Sequence, residues 1–342
     1  MISRIGLVGC GVVGSGLLEL LDKRSLYLAG KYGVSFKLIF ATDAVRGTAF
    51  SKDTLDRRAL LRTLAAGGSL DDLAPKGGPK DLESLLKEGK PDIICEATPT
   101  NYKTGEPGMS IMTAALSAGV SVVTSSKGAL ALDMAGLKEL AASKGASLRF
   151  ESSVMSGTPL ISLIRGPMAG CEILKAEGIL NGTTNFILTK MESGMDYAGA
   201  LAEATRQGYA EADPTGDVEG FDAAVKVCIL SAELFGTPMK MDDVRRTGIT
   251  GITSEDIKRA AAEGGRIKLV AGVKKEGNSV TGYVSPETVG LDNPLASVSG
   301  ASNAVNITTD NLGVVTISGP GAGKIETAQG LLSDMLDIAR GS

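Results

Sequence analysis

The chain contains no histidine. That absence excludes Ser-His-Asp and Cys-His nucleophilic catalysis, zinc held by imidazole, and the histidine proton shuttle of many dehydrogenases. Any general acid or base must be Lys, Asp, Glu, Tyr or Cys. Cysteine is scarce: Cys10, Cys95, Cys171 and Cys228 stand at irregular spacing, with no CxxC pair. Such a set reads as reduced, buried thiols, and the expected compartment is the cytoplasm. Dense Lys/Arg runs are lacking, and 35 basic residues against 39 acidic ones leave a net charge of −4. No nucleic-acid and no membrane partner is therefore expected. Met1 to Leu21 superficially resembles a signal peptide, but its apolar run holds a glycine fingerprint and meets Glu19 and Asp22. No other apolar stretch approaches the ~20 residues that span a bilayer.

What is present is an ordinary globular balance, 43% apolar and 22% charged over 342 residues, long enough for two domains with a substantial core. The first part alternates apolar strands with helical patterns. Arg4–Gly9, Phe36–Ala41, Asp92–Ala97, Ser121–Thr124 and Ser147–Phe150 read as strands. Helices are expected over Ser15–Lys23, Asp53–Ala66, Asp81–Lys87, Pro107–Ser117 and Asp133–Ser143, which implies a parallel sheet with right-handed crossovers. Residues 67–80 read as a flexible surface loop.

After about residue 150 the pattern changes. A strand over Glu172–Leu180 precedes helices over Thr184–Glu192, Tyr197–Gln207 and Val218–Leu234. Lys268–Val273 and Ser279–Ser285 form a hairpin, Val305–Thr308 and Gly313–Ser318 add strands, and Ala322–Ala339 is an amphipathic helix. The expected fold class is α/β: a Rossmann-type parallel-sheet domain over 1–150, completed by 310–342, plus an α+β catalytic and dimerisation domain over 151–309.

Gly9-Cys10-Gly11-Val12-Val13-Gly14 matches GxGxxG between a strand and a helix. Gly9 permits the tight turn, Gly11 admits a pyrophosphate to the backbone, and Gly14 lets the helix pack on the sheet. The helix N-terminus, at Val12 and Val13, offers N–H groups and a positive dipole end to phosphate. Asp43, closing the second strand, is placed either to hold ribose hydroxyls and favour NAD, or as an ordinary turn aspartate. Arg46 and Lys52 nearby are the groups that would accept NADP. Ser318–Ile325 looks like a P-loop but lacks Gly at 318 and Ser/Thr at 325. It reads instead as a glycine turn, with Gly323 near the cofactor.

Asp222 and Lys226 are i, i+4 on a helix flanked by Phe221, Ala223, Ala224, Val225, Val227 and Cys228. Spacing leaves two readings, a solvated ion pair or a buried lysine tuned for proton transfer. Lys127 follows a strand at the sheet's carboxyl edge, where ligands bind in open α/β folds, and reads alternatively as a surface lysine.

Taken together, Gly9–Gly14, Glu96-Ala-Thr-Pro-Thr-Asn101, Ser126-Lys127-Gly128, Asn181-Gly-Thr-Thr-Asn185 and Ala212-Asp213-Pro214…Asp217…Asp222…Lys226 resemble homoserine dehydrogenase, in the same order and over nearly the whole chain. The resemblance implies reversible NAD(P)H-dependent reduction of L-aspartate 4-semialdehyde to L-homoserine, in threonine and methionine biosynthesis, by a homodimer. It implies Lys226 as general acid/base with Asp222 as its partner, and Lys127 as a second active-site lysine near nicotinamide. It also implies Glu211 and Asp217 on the substrate amino group, Gly182 and Thr183 lining that pocket, and Thr98 and Pro99 flanking the nicotinamide. Glu151, Val154, Ser156 and Thr158 fall on a loop that in the family holds a sodium ion, chiefly by carbonyls. Two positions depart from the family's usual pattern: Ser126 replaces Asn, and the cation loop reads VMSGTP. With the sequence ending at Ser342, no kinase domain or appended regulatory module is expected. Two rivals remain on the residues alone. One is another dinucleotide oxidoreductase of amino-acid metabolism, which a substrate panel would reveal. The other is a silent nucleotide sensor, which has no need of Asp222 and Lys226 on a buried helix.

Overall fold

The computed structural model describes residues 1–75 and 77–341. Its contacts divide the chain into two compact units, Met1–Gly157 with Gly323–Ser342, and Thr158–Ala322.

The first unit is built on β1 (Ile2–Val8), α1 (Val12–Tyr32), β2 (Ser35–Asp43), β3 (Gly47–Phe50), α2 (Arg57–Ala65), α3 (Leu82–Gly89), β4 (Ile93–Glu96), α4 (Gly108–Ser117), β5 (Ser121–Thr124), α5 (Gly128–Ser143), β6 (Leu148–Arg149) and α6 (Ser152–Met155). A helix over Lys324–Arg340 completes it. The sheet order is β3-β2-β1-β4-β5-β6. Its inner strands are buried almost throughout, because helices cover both faces and no alternation is needed. Order reverses between β1 and β4, and ligands bind at the carboxyl ends of strands at such a switch point.

Three features differ from the sequence reading. The sheet is not wholly parallel, since β3 folds back antiparallel on β2, with Thr42 Oγ1 and Thr48 Oγ1 2.7 Å apart. α1 runs to Tyr32, well past Lys23. Leu17, Leu18, Leu20, Leu21 and Leu28 are buried, and the polar residues between them lie on its outer face. Finally, the expected loop at 67–80 is pinned by a 3-10 turn over Leu70–Leu73 whose Leu70 is fully buried and donates its N–H to the Arg46 carbonyl at 2.7 Å. Lys76, within that loop, and Ser342 lie outside the described residues.

The second unit comprises α7 (Ile161–Arg165), β7 (Ile173–Ile179), α8 (Gly182–Glu192), α9 (Tyr197–Arg206), α10 (Thr215–Val218), α11 (Phe221–Phe235), β8 (Arg245–Arg246), α12 (Ser254–Ala262), β9 (Gly265–Glu276), β10 (Ser279–Gly290), β11 (Ser302–Thr309) and β12 (Gly313–Pro320). The helix over Lys324–Arg340 becomes α13. The second sheet has the order β12-β11-β7-β9-β10-β8 and is antiparallel except for the short β10–β8 pairing. The expected domain break at 310 falls elsewhere, because β12 pairs along its whole length with β11 and stays in the second unit. The expected helix over Val218–Leu234 is two helices, α10 and α11, parted at Gly220, whose φ of 78° no helix residue adopts. No helix among the described residues is long and apolar enough to cross a membrane.

Candidate active site

In the first unit the site begins where β1 ends. Gly9 donates its N–H to the Thr42 carbonyl at 2.8 Å and turns with φ 93°. A Cβ there would stand 2.5 Å from the Ala97 carbonyl oxygen, and one at Gly14 would overlap the Gly9 carbonyl. The loop is thus drawn tight against both the strand ends and its own helix, which only glycine allows. At Gly11 a Cβ would meet nothing within 4 Å, Val12 is 68% exposed, and α1 carries no side-chain N-cap. An open cradle under an uncapped helix N-terminus fits a pyrophosphate. Burial, with Asp43 adding, pushes the Cys10 thiol up to about 12, so it stays protonated at neutral pH.

Asp43 is a turn aspartate that also reaches back to the glycine loop. Its Oδ2 accepts the Cys10 N–H at 2.9 Å, and its Oδ1 accepts the N–H groups of Val45 and Arg46 at 2.9 and 3.1 Å. Partial burial opposes its charge, but these backbone donors outweigh it and hold the carboxyl below the ordinary aspartate range. An anion is therefore fixed to the glycine loop. The Arg46 guanidinium is turned to the Gly67 carbonyl at 2.6 Å.

Further along the carboxyl edge stand Thr98, half-buried, and Pro99, exposed. Lys127 precedes α5 and donates its N–H to Thr100 Oγ1 at 3.3 Å. Glu96, at the end of β4, is fully buried and accepts the Thr98 N–H at 2.8 Å, the Thr98 hydroxyl, and the Thr124 hydroxyl at 2.5 Å. Gly323 caps α13 in the same unit. Glu151, Val154 and Ser156 are buried, with the Glu151 N–H on Asp334 Oδ2 at 2.8 Å and Ser156 at φ 56°.

In the second unit Lys226 and Asp222 are both buried on α11, at 6% and 8% exposure. Lys226 Nζ lies 2.8 Å from Asp222 Oδ2 and donates to the Leu180 carbonyl at 2.6 Å. The reading as a solvated surface pair is thereby set aside. Asn181 ties the cluster together: its Nδ2 donates to Asp217 Oδ1 at 2.7 Å and to Asp222 Oδ2 at 3.1 Å. Its Oδ1 caps α8 by accepting the Thr184 N–H at 2.9 Å. Burial pushes the Asp217 carboxyl above its ordinary range; the Asn181 amide opposes this and the neighbouring Asp222 charge adds to it. Gly182 opens α8, and the Thr183 hydroxyl donates to the Tyr209 carbonyl at 2.8 Å. Glu211 is exposed, and the structure does not bring it to this cluster through any described hydrogen bond or ion pair. Thr158 belongs to the second unit and donates to the Pro320 carbonyl at 3.0 Å.

Sequence reasoning did not single out Asn181, which braces the cluster, or the buried Glu96. An Asn-Gly pair opening a helix signals the first, and an acid closing the apolar run Ile93-Ile94-Cys95 signals the second.

A glycine cradle with a fixed acid at the second strand, together with a buried lysine–aspartate pair, defines a dinucleotide-dependent oxidoreductase. Comparison with known proteins narrows this. Residues 9–151 match the homoserine dehydrogenase NAD-binding domain, and residues 159–336 match homoserine dehydrogenase. The chain is 43% identical to the NAD(+)-dependent homoserine dehydrogenase of Pseudomonas canavaninivorans, over 98% of this chain and 96% of the relative. It is 38% identical to the homoserine dehydrogenase of Methanocaldococcus jannaschii, over 97% of each. Among solved structures, a hyperthermophilic archaeal homoserine dehydrogenase mutant in complex with NADPH superposes with a TM-score of 0.84 at 32% identity, covering 100% of this chain and 99% of that one. The chain belongs to the homoserine dehydrogenase family of NAD(P)-dependent oxidoreductases.

Proposed function

We propose that the chain interconverts L-aspartate 4-semialdehyde and L-homoserine, with NAD as preferred cofactor and Lys226 as the proton donor. The observation that carries the mechanism is the buried Lys226–Asp222 pair, bound to the Leu180 carbonyl and braced by Asn181. When bound, the dinucleotide supplies the hydride. The chain's own work is on the proton. Asp222 favours the ammonium form of Lys226, which protonates the alkoxide oxygen as negative charge develops there, and Lys127 assists. Asp217 and Glu211 hold the substrate ammonium, with Gly182 and Thr183 beside them.

Cofactor preference rests on Asp43. Its fixed charge repels a 2′-phosphate, and Arg46, the nearest cation that would welcome one, is engaged by Gly67. Gly9, Gly11, Val12, Val13 and Gly14 receive the pyrophosphate, Thr98 and Pro99 the nicotinamide, and Gly323 closes the cofactor side. The 151–158 segment is a sodium site on this reading: hard oxygen donors, the carbonyls of Val154, Ser156 and Thr158 beside Glu151, suit a hard cation. The second unit is also the dimerisation unit. Its edge strand β12 leaves one side of its ladder unpaired, with Val314 58% exposed. Light scattering that returned a monomer would refute the homodimer.

Initial rates of homoserine oxidation with NAD and with NADP, measured side by side, test the whole reading. Turnover with NAD at the higher kcat/KM is expected, with Asp43→Ser narrowing the gap. Absence of homoserine oxidation with either cofactor would overturn it.

A further inference from the structure

We infer that Glu96 sets the balance between oxidised and reduced cofactor by placing a buried negative charge at the nicotinamide end of the site. The inference rests on the reading that Thr98 and Pro99 flank the nicotinamide.

The geometry is specific. Glu96 closes β4, the strand paired with β1 at the switch point, and is 0% exposed. Ala97 and Thr98, which follow it, lie against the glycine loop, since a Cβ on Gly9 would stand 2.5 Å from the Ala97 carbonyl and 2.9 Å from the Thr98 nitrogen. The glycine loop that cradles the pyrophosphate therefore touches the segment that Glu96 anchors.

Every partner of the carboxylate is a donor. Oε1 accepts from the Thr98 N–H and hydroxyl, and Oε2 accepts from the Thr124 hydroxyl, whose oxygen also accepts the Ser126 N–H at 2.9 Å. Were the carboxyl protonated, its O–H would have to turn to the Thr98 or Thr124 hydroxyl oxygen, and that hydroxyl's own hydrogen would lose the acceptor it has here. Three donors on one carboxylate thus favour the anion. No lysine or arginine pairs with Glu96 among the described residues. Burial works the other way and raises the carboxyl above its ordinary range. That cost is incurred for a group two residues from the cofactor-facing Thr98.

The two cofactor forms differ in charge where it matters. The oxidised nicotinamide ring is cationic and the reduced ring is neutral, while the adenosine and pyrophosphate parts are identical. A fixed, buried anion attracts the first and is indifferent to the second. Glu96 therefore tightens NAD⁺ relative to NADH, and by the same charge makes bound NADH the stronger hydride donor. Its hydrogen bonds to Thr98 and Thr124 also tie together the segments after β4 and β5, but a purely structural role would act on both cofactor forms alike.

Dissociation constants for NAD⁺, NADH and ADP-ribose, measured by calorimetry on the wild type and on Glu96→Gln, decide the matter. Glu96→Gln keeps the shape and removes the charge. NAD⁺ binding is expected to weaken roughly tenfold, the size of one charge interaction across several ångströms at low effective dielectric. NADH and ADP-ribose, which lack the ring cation, should hold within about twofold on the same argument. Glu96→Asp, which keeps the charge, should hold the ratio of NAD⁺ affinity to NADH affinity near wild type. Thr124→Val, which strips a donor and drives the carboxyl towards its neutral form, should lower that ratio, and it serves as the test if Glu96→Gln does not fold. Equal weakening of NAD⁺ and NADH, or no change in their ratio, would overturn the inference while leaving the cofactor reading intact. Failure of the wild type to bind any of the three ligands is a different result and would overturn both.

Discussion

Replacing Lys226 by alanine removes a buried ammonium together with its bonds to Asp222 and the Leu180 carbonyl. Loss of a general acid lowers kcat by roughly 10²–10⁴-fold. NAD affinity should be untouched, because Lys226 lies in the unit that does not contain the glycine loop. Steady-state kinetics with calorimetric NAD binding check both halves, and near-normal turnover would remove Lys226 from its assigned role. Asp217 gives a pH prediction. Its carboxyl is raised by burial, so the folded chain holds that proton more tightly than the unfolded chain does. The stabilisation this brings is complete below the unfolded value of about 3.9 and is lost as pH rises through the folded value. Asp217→Asn, which cannot titrate, should show a smaller loss of stability over that interval in urea denaturation at stepped pH. The residue scale also shows what a sequence displays and what it hides. The i, i+4 spacing of Asp222 and Lys226 is visible, and so is the apolar run around them. The amide that joins Asp222 to Asp217 is not, because Asn181 stands some forty residues earlier and only the fold brings it there.

At the scale of elements, the break between α10 and α11 matters most for the site. Gly220 sits at φ 78°, and a Cβ there would lie 3.0 Å from Val284 Cγ1. Gly220→Ala should cost about 1–3 kcal/mol of stability from backbone strain. It should also raise KM for homoserine, because Asp222 is two residues into the helix that Gly220 starts; thermal denaturation and kinetics on one preparation would show both. A periodicity reading runs the two helices together, since Val218 and the α11 residues share an apolar character and one glycine is tolerated in such a pattern. The opposite error occurs in α1. Its second half buries only Leu28, so no apolar stripe marks the helix beyond Lys23. α12 was legible in principle: Thr253 and Asp256 form a reciprocal capping box, a start signal outweighed by the weak apolar content that follows. The strands of the first sheet were the plainest elements, because burial on both faces writes them as unbroken apolar runs.

For the whole molecule, the placement of the glycine loop and the Lys226–Asp222 pair in separate units makes a ligand prediction. NAD binds the folded chain alone, and at a concentration 100 times its Kd it should add about 2.7 kcal/mol to stability. Asp222→Asn and Lys226→Ala should show the same NAD-induced rise in Tm as the wild type, and Gly14→Ala should show none. A variant of the second unit that lost the rise would show that the cofactor half-site is not self-sufficient.

The first unit is also discontinuous, and α13 has a consequence for synthesis. Ala328, Leu331, Leu332, Met335 and Ala339 belong to the same core cluster as Leu17, Leu18 and Leu21, and Lys324 pairs with Glu19 across more than three hundred residues. When the ribosome has made residues 1–157, that core still lacks one wall. The second unit, an unbroken stretch from Thr158 to Ala322, can fold as it emerges, while the earlier-made half waits. The nascent chain therefore carries an unfinished nucleotide fold, with the α13-facing side of α1 uncovered, until its last residues are made. The stretch of the chain made first is the one whose core closes last, and it is there that a chaperone would be needed.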